Sequence, residues 1–279
     1  MFCSPNKNGQ NKTCFTTQSL RKIAKSYNEE NPQQKIASVN RKSKIELWQN
    51  IQNRLKNKCN SEICWIKQNF VKNLNDPEIE QFTFRPEMPS NWTKNRYTWL
   101  STIDIQEVMK QYEKKFKDFH FLGPVPYDCP YGITCELTTI TPVKLIRARI
   151  NKLGIIYNLD YHNEPGSHWV AVFIDLLGKS VEYYDSYANR PPKLINKWME
   201  KIQKEIAEYY KQPCELKYNR RRHQYGNSEC GVFSMNFIME RLNGRSLEEI
   251  SKKKLTDEQM NRLRNILYRP MNSIPNFFI

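Results

Sequence analysis

No stretch of apolar residues in the 279-residue chain approaches the roughly 20 that a membrane-spanning helix requires. The first seven residues, Met1 to Lys7, also lack the apolar segment of a secretion signal. The sequence contains no internal repeat and no long low-complexity tract. We therefore expect no membrane partner, and we expect the protein to work in the reducing interior of a cell.

Hydrophobic residues make up 39% and aromatic residues 12% of the chain, which is enough for a packed core and excludes disorder throughout. The length suits one large domain, or a catalytic domain with a smaller appendage. We expect the eight cysteines to be free thiols, because a reducing compartment disfavours disulfides. The pairs Cys3/Cys14 and Cys59/Cys64 have spacings that suit zinc poorly, so we predict no metal and no cofactor.

Positive charge is concentrated near the N-terminus. The formal net charge is +15, and residues 1–72 contain 14 basic and 4 acidic residues, a local charge of +10 (14 − 4). Such a surface favours acidic partners, DNA above all, through the release of counterions. The alternative is a solvated basic surface that has no specific partner.

The pattern of apolar residues divides the chain into two regions. Helical spacing predicts helices over 19–27, from residue 43 onward and over 61–74, after which a proline-containing stretch follows over 75–98. We predict a basic helical N-terminal arm domain over 1–80 and a larger domain over 81–279. In the larger domain, predicted strands at 169–174 and 181–184 precede helices at 192–210 and 230–242, which indicates an α+β fold.

A histidine and an aspartate stand at the open end of the predicted hairpin. His168 directly precedes the apolar run Trp169–Ile174, which suits a strand buried on both faces, and the next strand ends at Asp185. If the hairpin folds between residues 176 and 177, paired residue numbers sum to 353 and His168 lies opposite Asp185. An aspartate in that place holds an imidazole in one tautomer and stabilises its protonated form. The alternative is a strand-end histidine and a turn aspartate without chemistry.

A cysteine begins the last predicted helix of this set. Cys230 is followed by Gly231 and a helical apolar pattern, so its side chain lies at a helix N-terminus, where the helix dipole favours a thiolate. Six residues earlier, Gln224 could donate its amide to an oxyanion beside the Cys230 N–H, and Gly226 permits the turn between them. A buried structural cysteine is the alternative.

Together these four residues resemble the active site of the SUMO proteases and adenovirus-type proteinases. Residues 166–175, Gly-Ser-His-Trp-Val-Ala-Val-Phe-Ile-Asp, resemble that family's His-Trp strand, and residues 224–231 match its Gln-x5-Cys-Gly signature. The resemblance implies a papain-like, adenain-type fold with a mixed central sheet flanked by helices. It also implies a role for each of the four residues. His168 would be the general base and Asp185 the acid that orients it, whereas Gln224 would be the oxyanion donor and Cys230 the nucleophile.

The resemblance extends to the substrate site. Trp169 matches the tryptophan that closes a narrow tunnel in this family, and only glycines pass easily through such a tunnel. Cleavage next to Gly-Gly is therefore implied, with Trp99 and Gly231 as further substrate-binding positions. SUMO proteases carry Trp-Leu-Asn-Asp at the segment that reads Trp-Leu-Ser-Thr over 99–102 here, so the acidic substrate contact of that segment is replaced.

Within this superfamily the sequence resembles in particular the polyprotein-processing proteases of large nucleocytoplasmic DNA viruses. We predict a monomeric cysteine endopeptidase, in the virion and host cytoplasm, that cleaves viral structural precursor proteins at Gly-Gly-X sites during particle maturation. One alternative is an isopeptidase that removes ubiquitin or a SUMO-like modifier. The other is a nucleic-acid-binding virion protein with a relic protease fold.

Overall fold

The computed structural model describes residues 2–7, 12–95 and 97–271, and the chain divides into two compact units. The first contains residues up to Met88 and the segment that begins at Tyr268, and the second is Pro89–Leu267. The late segment joins the first unit because the Arg269 N–H donates to the Pro86 carbonyl at 2.8 Å. The division of the chain into domains 1–80 and 81–279 remains a prediction from the sequence. The described residues contain no helix long and apolar enough to cross a membrane.

The first unit is helical. Its helices are α1 (Thr17–Glu30), α2 (Lys44–Leu55), α3 (Glu62–Ile66), α4 (Asn69–Lys72) and α5 (Pro77–Glu80). The prediction of one helix over 61–74 is wrong, because Gln68 adopts an extended conformation (φ −71°, ψ 143°) between α3 and α4. Buried side chains of α1 and α2, among them Leu20 and Ile51, form the core of this unit together with Trp65.

The structure joins six of the eight cysteines, and the prediction of free thiols is wrong for those six. The disulfides are Cys3–Cys14, Cys59–Cys64 and Cys129–Cys135. Their Cα atoms lie 5.2, 5.4 and 6.2 Å apart, within the range that a disulfide spans. Each bond closes a loop of 11 residues or fewer, so local chain geometry brings the sulfurs together. Cys214 and Cys230 are free and buried.

A five-stranded sheet forms the centre of the second unit, with its strands side by side in chain order. The strands are β1 (Phe119–Val125), β2 (Lys152–Asn158), β3 (Trp169–Asp175), β4 (Ser180–Tyr184) and β5 (Glu215–Tyr218). The central pairs β2–β3 and β3–β4 are antiparallel, whereas β1–β2 and β4–β5 are parallel. This mixed sheet with flanking helices confirms the predicted α+β fold class.

Helices cover both faces of the sheet. They are α6 (Thr102–Lys115), α7 (Pro142–Arg147), α8 (Lys193–Tyr210), α9 (Cys230–Leu242), α10 (Leu247–Lys252) and α11 (Asp257–Leu267). Alternate β3 residues such as Val172 share a buried cluster with Trp198 and Ile206 of α8. On the other face of β3, the ring of Phe173 packs edge-on against Phe237 of α9 at 6.5 Å. Because both faces are covered, β3 is apolar and buried from Trp169 to Ile174.

The β3–β4 hairpin has a different register from the predicted one. Ala171 pairs with Tyr184 and Asp175 with Ser180, so paired numbers sum to 355 (171 + 184) and not to 353. The turn is longer than predicted, because Lys179 takes a left-handed conformation (φ 53°) and Asp175 Oδ1 accepts the Gly178 N–H at 2.7 Å. Extended by number, this register places position 187 opposite position 168 (355 − 168), and not position 185.

Ile206→Ala should lower the free energy of unfolding by about 2–5 kcal/mol, because it leaves a cavity between α8 and the sheet. Ile206 has no exposed surface. The measurement is urea unfolding of the purified variant. Lys204→Ala on the exposed side of the same helix is the control and should change stability by less than about 0.5 kcal/mol. Equal effects of the two substitutions would contradict the packing described.

Candidate active site

His168 and Asp185 meet at the ends of two neighbouring strands. His168 directly precedes β3, and its carbonyl accepts the Leu159 N–H at 2.9 Å, which continues the β2–β3 pairing. Its Nε2 lies 2.7 Å from Oδ1 of Asp185. Asp185 directly follows β4 and has no exposed surface. The predicted contact is therefore present, although the strand register alone does not place the two residues opposite each other.

The main chain of Asp185 is held by a side chain from the next strand. Asn219 follows β5 and is 1% exposed. Its Oδ1 accepts the Asp185 N–H at 2.9 Å, and its Nδ2 donates to the Asp185 carbonyl at 2.7 Å. This two-sided clamp turns the chain out of β4 and toward His168. The sequence analysis missed Asn219, because β5 has only four residues, none of them fully buried, and carries no clear strand pattern.

Cys230 is the first residue of α9 and is 2% exposed. Its sulfur therefore lies at the N-terminal end of this helix. Burial by itself would lower the pKa of His168, but hydrogen bonds to Asp185 and Cys230 raise this pKa to about 9. The predicted base and acid are thus in direct contact, and the predicted nucleophile lies close enough to His168 to raise its pKa.

Gln224 is fully buried and held on both sides of its amide. The Ser186 hydroxyl donates to its Oε1 at 2.6 Å. Its Nε2 donates to the Gly226 carbonyl at 3.1 Å and to the Tyr187 hydroxyl at 3.3 Å. In this state both amide hydrogens point at protein atoms, so oxyanion donation by Gln224 stays a prediction that requires a small turn of the amide.

The segment before Cys230 is held by carboxylates that the sequence analysis missed. Oδ2 of Asp257, the first residue of α11, accepts the N–H groups of Tyr225 and Gly226 at 3.0 and 2.8 Å. Glu229 is 4% exposed and accepts from the Ser228 hydroxyl at 2.6 Å. These contacts fix the turn that carries Gln224 toward the N-terminus of α9.

Trp169 and Gly231 pack against each other at the start of β3 and α9. The Trp169 indole N–H donates to the Leu100 carbonyl at 3.0 Å. A Cβ atom at Gly231 would lie 3.3 Å from both Trp169 and Leu100, which explains the glycine. Trp99 is 42% exposed and precedes Leu100 in the chain. The substrate-binding roles of these residues stay predictions.

Proteins that this chain resembles in sequence and fold are named as thiol or cysteine proteases. The pattern of the Ulp1 protease family, C-terminal catalytic domain, matches residues 153–276. Protein R355 of Acanthamoeba polyphaga mimivirus, which is named as a thiol protease, is 35% identical over 96% of this chain and 93% of its own length. This chain belongs to the Ulp1 protease family.

Two further similarities concern African swine fever virus. Cysteine protease S273R of the isolate Tick/Malawi/Lil 20-1/1983 is 26% identical over 90% of this chain and 98% of its own length. The crystal structure of the pS273R protease matches 97% of this chain and 96% of its own with a TM-score of 0.70 at 22% identity, which shows a shared fold. The predicted resemblance and the predicted cysteine-type peptidase are confirmed for this Ulp1-family protease.

Asp185→Asn should lower the pKa of His168 from about 9, because a neutral amide no longer stabilises the imidazolium. At pH 8 the variant imidazole should therefore be neutral in a larger fraction of molecules than the wild-type imidazole. NMR titration of the His168 ring resonances measures this change. Asp118→Asn, at an aspartate that pairs with Lys152, is the control and should leave the midpoint of the His168 titration unchanged. An unchanged midpoint in Asp185→Asn would contradict the assigned pair.

Proposed function

We propose that this Ulp1-family protease cleaves structural precursor proteins of a large DNA virus at Gly-Gly-X sites during particle maturation. The observation that carries the proposal is the group of three at the end of the sheet, in which the His168 ring contacts the buried Asp185 at 2.7 Å and its pKa is raised by Asp185 and by Cys230 at the N-terminus of α9. Such a group activates a thiolate for attack on an acyl carbon.

The proposed reaction uses these groups in sequence. The Cys230 thiolate attacks the glycyl carbonyl carbon and forms a C–S bond, and the oxyanion is stabilised by the Cys230 N–H and the Gln224 amide. Protonated His168 gives its proton to the leaving amine as the C–N bond breaks. Neutral His168 then takes a proton from water, whose oxygen attacks the thioester and releases the acid and the thiolate. Asp185 stabilises the imidazolium in both halves.

The preference for glycine is supported by the packing beside Cys230. Trp169 is 4% exposed and lies against Gly231 and Leu100, so apolar side chains already fill the space next to the nucleophile. A substrate without side chains at the positions before the scissile bond suits such a narrow approach. The viral precursor class is supported by the relatives, which come from mimivirus and African swine fever virus and align over nearly the whole chain.

The location and partners form a further part of this proposal. We place the protein in the virion and host cytoplasm as a monomer, with DNA contact through the basic N-terminal region. The support for DNA contact is the charge of +10 over residues 1–72 (14 − 4). Lys7, Lys22 and Lys67 pair with carboxylates of residues 76–87, so these three are less available to phosphates.

Cleavage of a Gly-Gly-containing structural precursor by purified protein tests the proposal, with mass spectrometry of the fragments. Cys230→Ala should reduce cleavage by at least about 10³-fold, because the nucleophile is lost. Cys214→Ala, at the other free buried cysteine, is the matched control and should retain activity.

The fragments and a second substrate separate the alternatives. Fragment ends at glycine support the proposed site, and ends elsewhere contradict it. Ubiquitin and SUMO C-terminal fluorogenic substrates are run in parallel. Turnover of these substrates without cleavage of the precursor would favour the isopeptidase, and no turnover of either would favour the relic-fold DNA-binding protein.

A further inference from the structure

Tyr187 lies against the imidazole of His168. Its ring is stacked on the imidazole with centroids 4.7 Å apart and planes 19° from parallel. The guanidinium of Arg222 lies 5.1 Å from the centroid of the same ring. The face of an aromatic ring carries partial negative charge and attracts cations, so the stacked ring favours the protonated imidazole.

The main chain and the hydroxyl of Tyr187 reach the other parts of the site. Its N–H donates to Oδ1 of Asp185 at 2.9 Å, the oxygen that His168 also contacts. Its hydroxyl donates to the Gly226 carbonyl at 2.8 Å and accepts from Nε2 of Gln224 at 3.3 Å. One half-buried residue therefore contacts the base, the acid and the amide predicted to bind the oxyanion.

We propose that Tyr187 is a positioning residue that couples the two halves of the active site. Its ring orients His168 and favours the imidazolium, and its hydroxyl holds the Gln224 amide and the Gly226 turn in the position from which the amide turns to bind the oxyanion. The inference rests on the proposed roles of His168, Gln224 and Cys230. No direct contact of Tyr187 with substrate is needed.

Burial and the nearby negative groups keep the Tyr187 hydroxyl a donor. Of the charged groups around it, Cys230, Asp185 and Asp257 raise its pKa and Arg222 lowers it. Burial, and then the charge of Cys230, raises the pKa of Tyr187 above its usual value. The phenol therefore stays protonated while His168 titrates, and the bond to the Gly226 carbonyl persists through that range.

The ring is tested without any substrate. The rate at which iodoacetamide alkylates Cys230 is measured from pH 4 to pH 10 in a Cys214→Ala background, which leaves Cys230 as the one free thiol. In Tyr187→Leu the upper inflection of the profile, where His168 loses its proton, should move down by about half a pH unit or more. In Tyr187→Phe, which keeps the ring, this inflection should stay at the wild-type value.

The hydroxyl is tested by turnover of whichever substrate the wild type cleaves. Tyr187→Phe should lower kcat by about tenfold and change KM by less than about twofold, because the amide that it positions acts in the transition state. Tyr209→Phe, at a tyrosine of α8 that is 43% exposed, is the matched control and should behave as wild type.

Each outcome decides one half of the coupling. The proposal for the ring is overturned if the upper inflection of the alkylation profile does not move in Tyr187→Leu. The proposal for the hydroxyl is overturned if Tyr187→Phe has the wild-type kcat. The alkylation profile needs no Gly-Gly substrate, so a wild-type protein that alkylates as expected but ignores such substrates counts against the proposed substrate and not against Tyr187.

Discussion

The candidate active site depends on one interaction, the 2.7 Å contact between Nε2 of His168 and Oδ1 of the buried Asp185. A buried carboxylate is costly unless a cation and hydrogen-bond donors surround it. Here the donors are the imidazole and the N–H of Tyr187, and the balance favours the protonated ring, with a pKa raised to about 9. This raised pKa keeps a positively charged ring beside Cys230.

The sheet makes this interaction possible by presenting residues from the same edge of several strands. His168 precedes β3, Asp185 follows β4 and Asn219 follows β5. Because β4 and β5 are parallel, their C-terminal ends lie together, and Asn219 can clamp the main chain of Asp185. The apolar helix α9 lies across β3 and brings Cys230 to the same edge. Packing against the sheet therefore sets the geometry of the site, and its polar loops complete it.

Predictions that depended on local pattern were accurate. The helix that begins at Cys230 and the strand that begins at Trp169 have the predicted starts. Their positions could be predicted because the spacing of apolar residues in the sequence indicates buried strands and helices directly. Predictions that depended on backbone turns were less accurate. Gln68 interrupts the expected helix over 61–74, and Lys179 lengthens the turn between β3 and β4. The His168–Asp185 contact was predicted from the wrong strand register. Paired residue numbers of β3 and β4 sum to 355 in the structure and to 353 in the prediction.

By itself the sequence determined the chemistry: the types, order and spacing of the histidine, aspartate, glutamine and cysteine, and the elements that carry them. Only the tertiary structure decided which side chains surround those four. Tyr187, which follows β4, stacks on His168, and Asn219, which follows β5, holds the main chain of Asp185. Six cysteines form disulfides where short loops bring them close. The physical reason is that periodicity records which face of an element is buried, whereas contacts between element ends depend on turn lengths and register, which residue type specifies only weakly.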